Sequence, residues 1–116
     1  MEKEQDLDNP LGCPVVSTLA LIGGKWKPMI IHALGDQPMR FGMLKKVMSP
    51  ISQKVLTQQL RELEAAHIID RHVMDEKILN VTYSLTAYGK SLTPVLEALY
   101  TWGEMNIPYP KHSVNC

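Results

Sequence analysis

The chain lacks any apolar run long enough to cross a bilayer, which takes about 20 consecutive apolar residues, and it lacks a charged-then-apolar leader at its start. Those two absences exclude a spanning helix and lead to the expectation of a cytoplasmic protein with no membrane partner. Cysteine is scarce. Cys13 and Cys116 stand near opposite ends, without the Cys-x-x-Cys spacing of a metal site and without a disulfide framework. The four histidines, His32, His67, His72 and His112, show no ligand spacing, so neither a metal nor a cofactor is expected. No glycine-rich phosphate loop, nucleophile elbow or paired-carboxylate arrangement occurs, and a catalytic reading has no residues to rest on. An excess of one charge is missing as well: the formal net charge of the 116 residues is zero, which at first speaks against a polyanion partner.

The zero conceals a segregation. Residues 25 to 61 carry Lys25, Lys27, Arg40, Lys45, Lys46, Lys54 and Arg61 against Asp36 alone. The segments on either side are each net acidic. A local field of one sign governs association more than the global sum does.

The most informative stretch lies inside that basic segment, from Ser52 to Leu63. Val55, Leu56, Leu60 and Leu63 recur at helical spacing and predict a core-facing side. Gln53, Lys54, Thr57, Gln58 and Arg61 share the opposite side, which holds two amides, a hydroxyl and two cations but no carboxylate. Glutamine and arginine bond base edges bidentately, and lysine and threonine hold phosphate oxygens. Ser52 is the expected N-cap. A lysine in the first turn opposes the positive end of the helix dipole, where stability alone favours Asp or Glu. Lys54 at that place makes sense if an external anion such as a phosphate comes close. The plainer alternative is a solvated polar face on an ordinary surface helix.

Around this stretch the chain reads as mainly α with a small β-hairpin, an α+β arrangement. Residues 1–12 are expected to be a flexible acidic arm. Residues 13–106 form the folded domain, and residues 107–116 are an irregular tail. Cys13-Pro14 opens a first, strongly apolar helix with Val15, Val16, Leu19, Leu21 and Ile22, and Gly23-Gly24 stops it. A second helix runs from Lys25 to about Leu34, with Pro28 tolerated in its first turn. Met39 to Phe41 is a short extended piece. A third helix, Phe41 to Met48, is expected to turn Leu44, Val47 and Met48 to the core. Ser49-Pro50-Ile51 separates it from the Ser52 helix, and two short helices joined by so short a turn match a helix-turn-helix. Ile68 to Met74 and the period-2 run Asn80 to Leu85 predict a hairpin, with a polar turn at Asp75-Glu76-Lys77. Thr86 is the expected cap of one long last helix, kinked by Pro94, with Leu92, Val95, Leu96, Leu99 and Trp102 as its apolar stripe. The first and last helices are more apolar than one small core can cover. Pairing between the terminal helices of two chains is the expected answer, giving a homodimer with two copies of the Ser52 helix on one face.

Taken in order, Cys13-Pro14, Ile22-Gly23-Gly24-Lys25-Trp26, Arg40-Phe41, the run Ile51 to Glu64, Tyr83-Ser84-Leu85-Thr86 with Gly89, Leu92 with Pro94-Val95-Leu96, and Trp102-Gly103 resemble the HxlR family of MarR-like transcription regulators. The resemblance spans roughly Cys13 to Met105. It implies a winged helix-turn-helix with additional N- and C-terminal dimerisation helices, binding double-stranded DNA at a pseudo-palindromic operator as a repressor. Carried onto this chain, it assigns DNA contact to Ser52, Gln53, Lys54, Thr57, Gln58 and Arg61, with Arg40 ahead of them and Arg71 and Lys77 in the wing. The wing departs from the family pattern: Ile78-Leu79 stand where prolines are common and Thr82 where a glutamate precedes the tyrosine. Asp75 and Glu76 are poor neighbours for phosphate.

In family members that resemble this chain, a cysteine near the first helix senses oxidants or electrophiles such as quinones, and the resemblance implies that role for Cys13. A helix N-terminus favours the thiolate, which is the reactive form. The alternative is a buried structural cysteine. Two further functional readings stand beside the thiol switch: a regulator controlled by a non-covalent apolar ligand at the dimer interface, and a winged-helix interaction module without DNA binding.

Overall fold

In the computed structural model, which describes residues 9–35, 37–75 and 80–108, Pro14 begins the first helix, α1 (Pro14–Ile22), where its missing N–H is no loss. Cys13 is the N-cap but makes no side-chain capping bond. Asn9 supplies the contacts instead. Its Oδ1 accepts from the Cys13 N–H at 2.9 Å, and its Nδ2 donates to the Cys13 carbonyl and to Ser17 Oγ, both at 2.8 Å. Asn9 is buried. Of the expected acidic arm, residues 1–8 lie outside the described residues.

Gly24, at φ +86°, takes the left-handed conformation that reverses the chain after α1. Helix α2 (Trp26–Leu34) follows, with Ile30, Ile31 and Leu34 buried. A two-residue strand, β1 (Met39–Arg40), leads into α3 (Phe41–Val47), and Met48 to Ser52 connects it to α4 (Gln53–Ala65). Ser52 is the N-cap, its Oγ accepting from the Val55 N–H at 3.1 Å. Helix α4 ends with His67 in the left-handed region at φ 63°. There the His67 N–H bonds the Glu64 carbonyl and the Ile68 N–H bonds the Leu63 carbonyl, so the last turn's carbonyls are satisfied by main chain.

Strands β2 (Ile69–Asp75) and β3 (Asn80–Leu85) form the hairpin. The short extended piece foreseen at Met39 is its third strand: the order is β1-β3-β2, all antiparallel, with Met39 and Arg71 both opposite Tyr83. Helices α1 to α4, the sheet and the turn that follows α4 enclose one core, in which Ile30, Leu44, Leu56, Leu63 and Ile68 are fully buried. This is a winged helix-turn-helix, as expected.

Three side-chain or element expectations need correction. Val47 and Val55 are exposed rather than core-facing, at 38% and 37%. Each stands one residue before a core residue (Met48, Leu56), and a step of one residue on a helix turns the side chain by about 100°. The last helix is not one kinked rod. Thr86 caps a four-residue helix, α5 (Ala87–Lys90), its Oγ1 accepting from the Gly89 N–H at 2.9 Å. The chain then breaks at Ser91–Leu92 before α6 (Thr93–Asn106). Pro94 has no N–H for the Lys90 carbonyl and its ring clashes with it, so the helix restarts with the proline in its first turn. Leu92 is buried and Leu96 half-buried, but Val95, Leu99 and Trp102 face outward.

Candidate nucleic-acid interface

Helix α4 projects its polar side because its apolar stripe is fixed: Leu56, Leu60 and Leu63 are buried and everything opposite them is left outside. Gln53, Lys54, Gln58 and Arg61 are exposed and Thr57 is half-buried. Ser52 keeps its place at the helix start, with its oxygen engaged as the cap and its hydroxyl hydrogen still available.

The fold adds what no single segment carries. Gln53, Thr57 and Arg61 of α4 line a cleft of about 630 Å³ together with Arg40 of β1 and Arg71 of β2. Residues far apart in the chain thus gather three guanidinium groups beside two hydrogen-bonding side chains. Each guanidinium presents a planar fork suited to phosphate or to the guanine edge. Glu64 and Asn80 also line the cleft, and neither stood out in the sequence. Lys54 and Gln58 do not line it; they lie further round the exposed arc. Lys77 falls outside the described residues, and so does the polar turn from Glu76 onward.

Gln58 is not free. Its Nε2 donates to Glu62 Oε2 at 2.8 Å, and Glu62 Oε1 receives Lys27 Nζ at 2.6 Å. The Gln58 amide, together with the Lys27 ammonium, holds the Glu62 carboxyl below its usual range. The Gln58–Glu62 spacing of four residues was readable as a helix pair. The Lys27 partner, on another helix, had no sequence signal.

Cys13 is half-buried and free, at the start of α1. Among the described residues no group of three or more His, Cys, Asp or Glu side chains is placed to hold a metal ion, and no helix is long and apolar enough to cross a membrane. A second cavity, about 570 Å³, lies between α2 and α6 and is lined by Pro28, Ile31, His32, Leu96, Leu99 and Tyr100 among others.

Residues 21–111 match the HxlR-like helix-turn-helix family. The chain is similar to the HTH-type transcriptional regulator YybR of Bacillus subtilis strain 168, with 42% identity over 105 residues that cover 90% of this chain and 84% of the relative. Among solved structures it is similar to the redox regulator HypR in its reduced form, at 41% identity and a TM-score of 0.78, covering 81% of this chain and 93% of that one. It is also similar to quinone-bound YodB from B. subtilis, at 36% identity and a TM-score of 0.70, covering 79% and 97%.

Proposed function

The chain belongs to the HxlR-like helix-turn-helix family, a family of DNA-binding transcriptional regulators and not of enzymes, and on that premise we propose that it is a dimeric repressor of a pseudo-palindromic operator, switched by oxidation or alkylation of Cys13. The observation that carries the DNA site is the cleft where Arg40, Arg61 and Arg71 converge beside Gln53 and Thr57. Helix α4 enters the major groove with its N-terminal turns at the bases, and Lys54 meets the phosphate backbone. Arg71, on β2, holds the flanking backbone, and Lys77 is assigned the same role.

The dimer reading rests on the terminal helices. Leu19 of α1 and Leu99 and Trp102 of α6 are 52%, 52% and 62% exposed. Monomeric proteins rarely leave so many large apolar groups together in water. The same helices of a second copy cover them and set the spacing of the two α4 helices. Trp102→Glu is therefore expected to raise the dimer dissociation constant by roughly 30-fold or more, as loss of a buried aromatic anchor does. Sedimentation analysis reads this directly, and an unchanged dimer takes Trp102 out of the interface.

Cys13 is the N-cap of α1, one of the two helices assigned to the dimer contact. Added bulk or charge on its sulfur disturbs the start of α1, and with it the spacing of the recognition helices. HypR is described as a redox regulator and YodB has been solved with a quinone bound; both likenesses support a thiol switch here. The test is a gel-shift titration with the DNA upstream of the chain's own gene, reduced and after mild oxidant or quinone, with Cys13→Ser alongside. Wild-type binding should be salt-sensitive and lost on oxidation, while Cys13→Ser should keep it. Binding indifferent to oxidant in both proteins transfers the switch to a second reading, a non-covalent apolar ligand. The α2–α6 cavity favours that reading, since its volume falls in the range of small-molecule sites.

A further inference from the structure

The exposed arc of α4 has two edges, and only one borders the arginine cleft. Gln58 and Glu62 form the other, next to α2, where Lys27 reaches across to the Glu62 carboxylate. A carboxylate has no hydrogen to donate, so only the NH2 end of the Gln58 amide can face it. The direction of the amide is thereby set by chemistry. On an ordinary surface helix a glutamine amide turns over and its two ends exchange. Here Glu62 holds one end, and Lys27, whose side chain is 16% exposed against 42% for Glu62, holds Glu62. Exposed pairs of this kind contribute little to stability. Their effect is to fix an orientation.

With one N–H committed to Glu62, Gln58 keeps one acceptor, Oε1, and one donor, the second N–H. The major-groove edge of adenine asks for that combination, since N6 donates and N7 accepts. Guanine offers two acceptors there, N7 and O6, and an outward carbonyl opposes O6. We infer that Gln58 reads an adenine in each operator half-site, and that Glu62 and Lys27 are positioning residues that set the direction of its amide. The inference rests on the DNA-binding reading and names the base that this edge of the helix takes. On this reading the Lys27 ammonium serves Glu62 and not a phosphate.

The test is selection from a randomised double-stranded library with the full chain, followed by sequencing, for wild type, Gln58→Ala, Glu62→Ala and Lys27→Met. Wild type should prefer adenine at one position per half-site by about 10-fold. Gln58→Ala should erase that preference and leave the other positions unchanged. Glu62→Ala and Lys27→Met should reduce adenine over guanine at the same position and nowhere else. Lys27→Met should also keep the wild-type salt slope, whereas a lost phosphate contact lowers it by about 0.9. A selected motif that Gln58→Ala leaves intact, or a different base lost at that position, overturns the assignment to adenine. A preference erased by Gln58→Ala but untouched in both other variants overturns the positioning role. If wild type enriches no sequence and binds without salt dependence, the DNA-binding reading itself fails, and the inference with it.

Discussion

Replacing Gly89 by alanine is expected to lower stability by about 3 kcal/mol, the upper part of the range for overpacking. A β-carbon at Gly89 would stand 2.2 Å from the Ile68 carbonyl oxygen and 3.1 Å from its carbon. The obstacle is main chain, and it is pinned. The Ile68 oxygen already accepts from the Thr86 N–H at 3.0 Å, and Thr86 Oγ1 shares its hydrogen between the His67 carbonyl at 2.7 Å and the Ile68 carbonyl at 3.1 Å, while the Ile68 side chain is fully buried. Relief therefore requires α5 to lift off the turn that follows α4, breaking the Thr86 contacts with it. Alanine's better helix propensity works the other way, by roughly 1 kcal/mol, and is the smaller effect. At fixed protein concentration the thermal midpoint should fall by on the order of 15 °C. An unchanged midpoint would mean that α5 is not seated on the Ile68 carbonyl.

The second large effect concerns DNA. Arg40→Ala, Arg61→Ala and Arg71→Ala combined should abolish operator binding at physiological salt while leaving the fold intact, because all three residues are exposed. If each arginine meets a phosphate, the slope of log affinity against log salt should shrink by about 2.7 per chain, at about 0.9 per contact. If Arg61 reads a base instead, Arg61→Ala alone should cost about 1–3 kcal/mol of specific binding and change the preferred base at one position. Separate titrations on specific and random duplexes distinguish the two roles. A triple variant with wild-type slope and affinity would remove the cleft from the interface and leave the DNA path on the Lys54 side of α4.

The recognition helix was legible because its pattern is local. A stripe of leucines every three or four residues and a serine cap are properties of consecutive positions, and Gln53–Ala65 formed where they indicated. The hairpin was legible for the same reason, since Asn80–Leu85 alternates strictly. Val47 and Val55 were misplaced because an apolar residue at the border of a stripe can face either way, and only the packed neighbours decide. The break before α6 was underestimated because the effect of Pro94 depends on whether the helix on either side is held. Thr86 ties α5 to the turn at His67 and Ile68, with Gly89 seated against the Ile68 carbonyl, whereas α6 packs beside α2, so the chain separates between two anchored pieces.

The sequence alone determined the winged helix-turn-helix, the outward polar face of α4 and the excess of apolar surface on the terminal helices, because each follows from periodicity, capping and composition along a continuous stretch. It also placed Cys13 at the start of a helix. The tertiary structure decided which distant side chains meet: Arg40 and Arg71 with Arg61 around one cleft, Lys27 with Glu62 and through it Gln58, and Gly89 against Ile68. Those meetings depend on how helices and strands pack and on the register of the sheet. Interatomic distances between segments that are not neighbours along the chain leave no periodic trace in the sequence that produces them.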